Sequence, residues 1–143
     1  MPDPRKRLLI LCTGNSCRSQ MTEGWVRELL PERWEPHSAG TAPAAEVHPL
    51  AVRVMAEVGI DIAAARPKSV TGYIDQPWDL VVTVCDAARE TCPVFPGRVR
   101  QLHVSFPDPA QASGSEAQRL EVFRRVRDDI RARLIAALED MGS

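Results

Sequence analysis

The chain has 143 residues, of which 44% are hydrophobic and 26% charged, and a formal net charge of -1. That is the length of one domain able to bury a core, and the ordinary composition excludes disorder and a membrane class. Lys and Arg are dispersed, which removes any electrostatic argument for a nucleic-acid partner, and the apolar runs Leu8–Cys12 and Leu80–Val84 are too short to span a bilayer.

The N-terminal Met1–Arg7 is basic but leads into no small-residue cleavage pattern, so the expected location is cytoplasmic. Arg7–Leu11 reads as a buried strand ending at Cys12. From Ser19 to Leu30 the residues Met21, Trp25, Val26, Leu29 and Leu30 recur at helical spacing, and Pro31 stops the run. Trp34–Ser38 suits a short second strand, closed by Ala39-Gly40-Thr41. Pro49–Val58 predicts a second helix with Gly59 as its C-terminal cap. Val70–Ile74 suits a short helical turn. Asp79–Val84, β-branched and almost continuously apolar, predicts the clearest strand, and it too ends at a cysteine.

Cys85–Pro96 is rich in turn signals and reads as a loop or irregular helix. Val99–Val104 predicts a fourth strand, and Pro107-Asp108-Pro109 a constrained loop, because proline fixes φ and removes a backbone donor. Glu116–Met141 repeats apolar residues through Leu120, Phe123, Val126, Ile130, Leu134 and Leu138, a long amphipathic helix on which Arg124–Arg133 reads as a solvated face. The alternation predicts one three-layer α/β domain over 1–143, a four-stranded parallel sheet with helices on both faces. Ligands of such sheets bind outside the strands' carboxyl ends, and Cys12, Cys85 and Asp108 each follow a predicted strand.

The chemistry is concentrated in Cys12-Thr13-Gly14-Asn15-Ser16-Cys17-Arg18-Ser19. A small polar loop between a strand and a helix N-terminus turns backbone N–H groups on a tetrahedral oxyanion, while Arg18 offers a bidentate fork. Cys12 then lies beneath the central atom, with a helix N-terminus and a cation available to favour its thiolate. Ser16 and Ser19 are candidates for hydrogen bonds to that sulfur, and Asn15 for holding the loop through its backbone. A nucleotide-binding P-loop needs a Gly-Lys-Ser/Thr ending, whereas this turn ends Cys-Arg-Ser. Asp108, held between two prolines, is a candidate general acid.

Cys85 and Cys92 are separated by six residues, a spacing unlike a zinc knuckle, and His37, His48 and His103 are scattered and read as structural. No metal site is expected. A dithiol on a loop can exchange through a mixed disulfide, which is redox work that hydrolysis does not require.

The segments Cys12–Met21, Glu23-Gly24-Trp25, Ser38-Ala39-Gly40, Asp79–Thr83 before Cys85, Cys92-Pro93 and Asp108-Pro109-Ala110 together resemble the thioredoxin-coupled arsenate reductases, a family that shares the fold and Cys-x5-Arg loop of low-molecular-weight protein tyrosine phosphatases. The resemblance implies a three-thiol relay serving arsenic detoxification. Cys12 attacks arsenate, Arg18 holds it, and Asp108 protonates the departing oxygen. Cys85 attacks the Cys12 sulfur and releases arsenite. Cys92 then forms a Cys85–Cys92 disulfide that thioredoxin reduces. No bound cofactor is implied, phosphate and sulfate would compete, and a monomer is expected. The alternative, a phosphatase, needs only Cys12, Arg18 and Asp108 and leaves two thiols without a task. Ala110 and Gln111 stand where such phosphatases carry tyrosines, and Tyr73 is the only tyrosine. A weak side activity on aryl phosphates is expected nonetheless.

Cys17 reads as a small loop residue, with shielding of Cys12 through a transient disulfide as the alternative. Some relatives hold potassium beside the loop. Their ligands match Asn15, Glu23 and Ser38, with Lys68 near the position of an acidic ligand, so a lysine ammonium in the ion's place implies little potassium dependence.

Overall fold

The computed structural model describes residues 5–90, 92–97 and 99–141. Its centre is a fully parallel sheet in the order β2-β1-β3-β4, formed by β1 (Lys6–Cys12), β2 (Trp34–Gly40), β3 (Leu80–Thr83) and β4 (Arg100–His103). Leu8 to Cys12 are buried without interruption, as are Leu80 to Val84, because both faces of the two central strands are covered. The register aligns Cys12 with Gly40, Leu11 with Thr83, and Thr83 with His103. One rim therefore collects the carboxyl ends of all four strands. The strand order reverses between β1 and β3, and the loop after β1 opens at that switch point.

The helices are α1 (Arg18–Leu29), α2 (Pro49–Glu57), α3 (Asp86–Glu90), α4 (Glu116–Asp129) and α5 (Ala136–Met141), with single 3-10 turns at Val70–Gly72 and Pro109–Gln111. Gly59 ends α2 as expected, with φ +81 and its N–H on the Ala56 carbonyl at 3.0 Å. Ser115 and Gln118 form a reciprocal capping box that starts α4. No helix among the described residues is long and apolar enough to cross a membrane.

Two expectations are corrected here. The C-terminal helix is not uniform: Ile130–Ile135 is a π-helical segment between α4 and α5. The Trp25 indole N–H donates to the Arg127 carbonyl at 3.0 Å, just before that segment. The arginine-rich face is also not simply solvated. Arg127 is buried and donates to the Val54 carbonyl and Glu57, while Arg133 lies over the Phe106 ring and donates to the Ser105 carbonyl. Met1–Pro4 and Thr91, which belong to the basic N-terminus and the Cys85–Pro96 stretch, lie outside the described residues.

Candidate active site

The loop after β1 is shaped by a neighbouring stretch of chain. The carbonyls of Cys12, Thr13, Gly14 and Ser16 accept hydrogen bonds from the amides of Thr41, Ala42, Ala44 and His48, at 2.9–3.2 Å. A trans peptide that points its carbonyl outward turns the following N–H inward, so the loop presents amides to its own interior. Gly40 permits this approach, since a Cβ there would lie 2.4 Å from the Thr13 carbonyl oxygen. Asn15 supplies the left-handed turn with φ 50, and its backbone N–H points at Cys12 Sγ, 3.2 Å away.

The Asn15 side chain, fully buried, donates to the Ser19 and Ser38 hydroxyls at 2.8 and 3.0 Å, and its Oδ1 accepts from the Lys68 amide at 2.8 Å. It thus ties the loop to α1, β2 and the Lys68 stretch, where a bond to the loop's own backbone was expected. The Ser19 hydroxyl sits 2.8 Å from Cys12 Sγ. Ser16 does not reach the sulfur; its hydroxyl donates to the Glu46 carbonyl. With the Asn15 amide and the Ser19 hydroxyl on one sulfur, Cys12 has the partners a thiolate nucleophile needs.

Arg18 is the first residue of α1 and its guanidinium is mostly buried. It donates to the Phe106 carbonyl at 3.1 Å and stands 3.7 Å from Asp108 Oδ2. The other Asp108 oxygen caps the turn at Pro109–Gln111 by accepting from the Ala110 amide at 3.0 Å. Cys12, Thr13, Gly14, Ser16, Cys17, Arg18 and Asp108 line one cavity of about 290 Å³, closed by Ala44 and Ala110. Alanines form that part of the wall, so it offers no aromatic face to an aryl group. Asn15 and Ser19 stand behind the cavity as supports.

All four cysteines are free thiols. Cys17 is buried, and burial, reinforced by the nearby Asp108 charge, pushes its thiol up to about 12. It stays protonated at neutral pH, in keeping with its reading as a small loop residue. Cys85 lies just beyond β3 at the start of α3. Its Sγ is 3.5 Å from the Thr13 hydroxyl and accepts from the Ala88 amide at 3.4 Å. Cys92 is elsewhere: it lines a separate cavity of about 220 Å³ with Val81, Thr83, Gln101, Leu102 and His103, and burial raises its thiol above the ordinary range. The rim therefore gathers Cys12, Arg18, Asp108 and Cys85, but not Cys92.

The oxygens expected to suit potassium are engaged with one another. Ser38 donates to Glu23 Oε1 at 2.9 Å, Asn15 Oδ1 accepts from Lys68 N and Gln20 Nε2, and Glu23 Oε2 is paired with Arg27 one helical turn on. The ammonium of Lys68 instead donates to the Arg66 carbonyl at 3.2 Å, so the expectation that it takes the ion's place is corrected. Arg27 supplies the cation. Gln20 Oε1 is buried without a partner, but one neutral oxygen does not make an ion's shell, and the cluster does not fit a bound cation. No group of three or more metal-ligating side chains occurs among the described residues.

A parallel sheet carrying a thiol beneath an amide-lined loop, with a guanidinium and a carboxyl above it, defines a cysteine-dependent enzyme of tetrahedral oxyanions. The chain belongs to the low molecular weight phosphotyrosine protein phosphatase family, whose model matches residues 7–142, and within it to the arsenate reductases. It is 45% identical over 130 residues to an arsenate reductase of Halalkalibacterium halodurans, covering 91% of this chain and 93% of that one. An arsenate reductase structure in a phosphate-binding state superposes with a TM-score of 0.72 at 30% identity, over 96% of this chain and 99% of that one. A thioredoxin-dependent arsenate reductase of Corynebacterium glutamicum superposes with a TM-score of 0.61 at 25% identity, covering 95% of this chain and 65% of that one.

Proposed function

We propose that the chain reduces arsenate to arsenite through Cys12, Cys85 and Cys92 in turn, with thioredoxin as the final reductant. The observation that carries this reading is Cys85 Sγ, 3.5 Å from the Thr13 hydroxyl of the oxyanion loop, with a further free thiol, Cys92, downstream. A hydrolase has no use for either. Arsenate enters the loop cavity, Arg18 and the inward amides neutralise its charge, and Cys12 attacks arsenic. Asp108 gives its proton to the departing oxygen. Cys85 attacks the Cys12 sulfur, and the arsenic–sulfur bonding pair stays on arsenic as arsenite leaves, which reduces As(V) to As(III). Cys92 then attacks Cys85 and frees Cys12. The Cys85–Cys92 disulfide passes to thioredoxin, a reading supported by the thioredoxin-dependent relative. Phosphate competes for the same loop, as the phosphate-binding state of the neighbouring structure suggests. We read the enzyme as a cytoplasmic monomer, in keeping with its free thiols.

The test is arsenate-dependent NADPH oxidation in the presence of thioredoxin and its reductase, run beside p-nitrophenyl phosphate hydrolysis. Cys12→Ser, Cys85→Ser and Cys92→Ser should each lose arsenate turnover, whereas only Cys12→Ser should lose the hydrolysis. Wild-type turnover by Cys92→Ser would show that the relay has another end.

A further inference from the structure

On the far side of β3 from the loop, three side chains from three elements form a continuous hydrogen-bonded chain. Thr83 Oγ1 and His103 Nδ1 are 2.7 Å apart, and His103 Nε2 is 2.9 Å from Asp86 Oδ1. The carboxylate accepts at Nε2, which fixes the imidazole proton there, so Nδ1 is the acceptor and the Thr83 hydroxyl donates to it. Thr83 and His103 pair across β3 and β4, and Asp86 directly follows Cys85 in the first turn of α3. The order hydroxyl, imidazole, carboxylate is the one that moves a proton off a nucleophile.

The nucleophile that shares a cavity with this chain of side chains is a thiol. Thr83 and His103 line the same cavity of about 220 Å³ as Cys92. Of the titratable groups, Asp86 from α3 is hydrogen-bonded to the imidazole and Cys92 lines the same cavity. Burial holds the Cys92 thiol above its ordinary range, so attack on a disulfide at neutral pH needs an acceptor for its proton. Nothing in the loop cavity serves that purpose, because Cys92 does not line it.

We propose that Thr83, His103 and Asp86 form the proton relay for the last thiol exchange, with the Thr83 hydroxyl taking the Cys92 proton as its own passes to His103 Nδ1. The inference rests on the three-thiol reading above. In the step, the Cys92 sulfur attacks Cys85 of the Cys12–Cys85 disulfide and the Cys85–Cys92 bond forms. The old bonding pair leaves on Cys12 as thiolate, and the proton ends on the imidazole, stabilised by Asp86 through Nε2. One thiol sulfur, Cys92, is oxidised, one disulfide sulfur, Cys12, is released reduced, and Cys85 only changes partner, so no outside oxidant enters. His103 acts through Thr83 and is a positioning and proton-accepting residue.

The experiment is a single turnover without thioredoxin, reading arsenite released per chain and, by trapping and mass analysis, which disulfide is present. His103→Gln should release its one equivalent of arsenite at the wild-type rate and then hold the Cys12–Cys85 disulfide. Its conversion to Cys85–Cys92 should slow by about 10²-fold at pH 7. The loss relative to wild type at the same pH should shrink as pH rises and Cys92 ionises without the base, a narrowing that a merely structural role would not give. Asp86→Asn should show the same pattern with a smaller loss. A second step unchanged in both variants, or a loss of the arsenite burst in both, overturns the relay assigned to His103. Absence of any Cys85–Cys92 disulfide in wild type given arsenate overturns the three-thiol reading, and the inference with it.

Discussion

The oxyanion loop and the Cys85–Cys92 segment sit at the ends of adjacent strands but are built on opposite terms. The loop's carbonyls are taken up by the stretch from Thr41 to His48, and its buried Asn15 is tied to Ser19, Ser38, Lys68 and Gln20. Every such contact must break before the loop changes shape. Around Cys85 and Cys92 the described side-chain ties are an amide of α3 and the Thr13 hydroxyl on Cys85 and His103 on Asp86, and beyond Cys92 Val94 is 91% exposed. A site that stabilises developing charge gains from donors already in position, whereas a thiol that must travel between two sulfurs gains from an element that opens at little cost. Oxyanion chemistry and thiol transfer have opposite mechanical needs, and the chain separates them.

The separation can be broken first at Arg18, where the largest effect is expected. Arg18→Ala should lower kcat for arsenate and for p-nitrophenyl phosphate alike, by roughly 10²–10³-fold, because both reactions build charge on the same loop. Arg18→Lys should recover only part, since an ammonium cannot hold the Phe106 carbonyl and a bidentate oxyanion together. A loss confined to arsenate would mean that the two regions are not separable. A gentler comparison uses two glycines. Gly40→Ala drives a Cβ to 2.4 Å from the Thr13 carbonyl and should cost about 1–3 kcal/mol together with both activities. Gly97→Ala meets nothing within 4 Å but must adopt φ near +82, so it should cost about 1–2 kcal/mol and leave phosphate hydrolysis intact. Thermal unfolding beside the two activity assays checks both.

How much of this was legible follows from where the determining contacts lie. Strands β1 and β3 are buried on both faces, so their apolar runs announce them, and the Cys-x5-Arg loop carries its chemistry within eight consecutive residues. Strand β4, Arg-Gln-Leu-His, is half exposed and carries a weaker apolar signal, yet it falls inside the strand expected over Val99–Val104. The π-helical segment was unreadable because the apolar residues Ile130, Leu134 and Leu138 keep ordinary helical spacing across it. The choice between Ser16 and Ser19 depended on loop carbonyls bonded to a distant stretch. His103 looked like a lone structural histidine because its partners are set by strand register, which spacing does not give. The pairing of Glu23 with Arg27, in contrast, stands at helical i,i+4 spacing and was open to view.

That pair sets the smallest of the expected effects and the finest test of the rigid half. Glu23 is buried, and its carboxylate is held between the Ser38 hydroxyl and the Arg27 guanidinium, on a cluster that continues through Asn15 to Ser19 and Cys12. A free metal cation would have to displace Arg27 to reach this charge, and the guanidinium is held at high effective concentration by the helix. Exchanging sodium for potassium at constant ionic strength should therefore change arsenate turnover less than about twofold, within what surface screening alone produces. Arg27→Gln removes the built-in cation and leaves a buried carboxylate short of a partner, at a cost of about 1–3 kcal/mol. In that variant potassium should raise the melting temperature more than sodium does, and p-nitrophenyl phosphate hydrolysis should rise with it. A potassium response in the wild type as large as in Arg27→Gln would mean that the guanidinium does not occupy the charge, and that the loop is less completely braced from within than its hydrogen bonds imply.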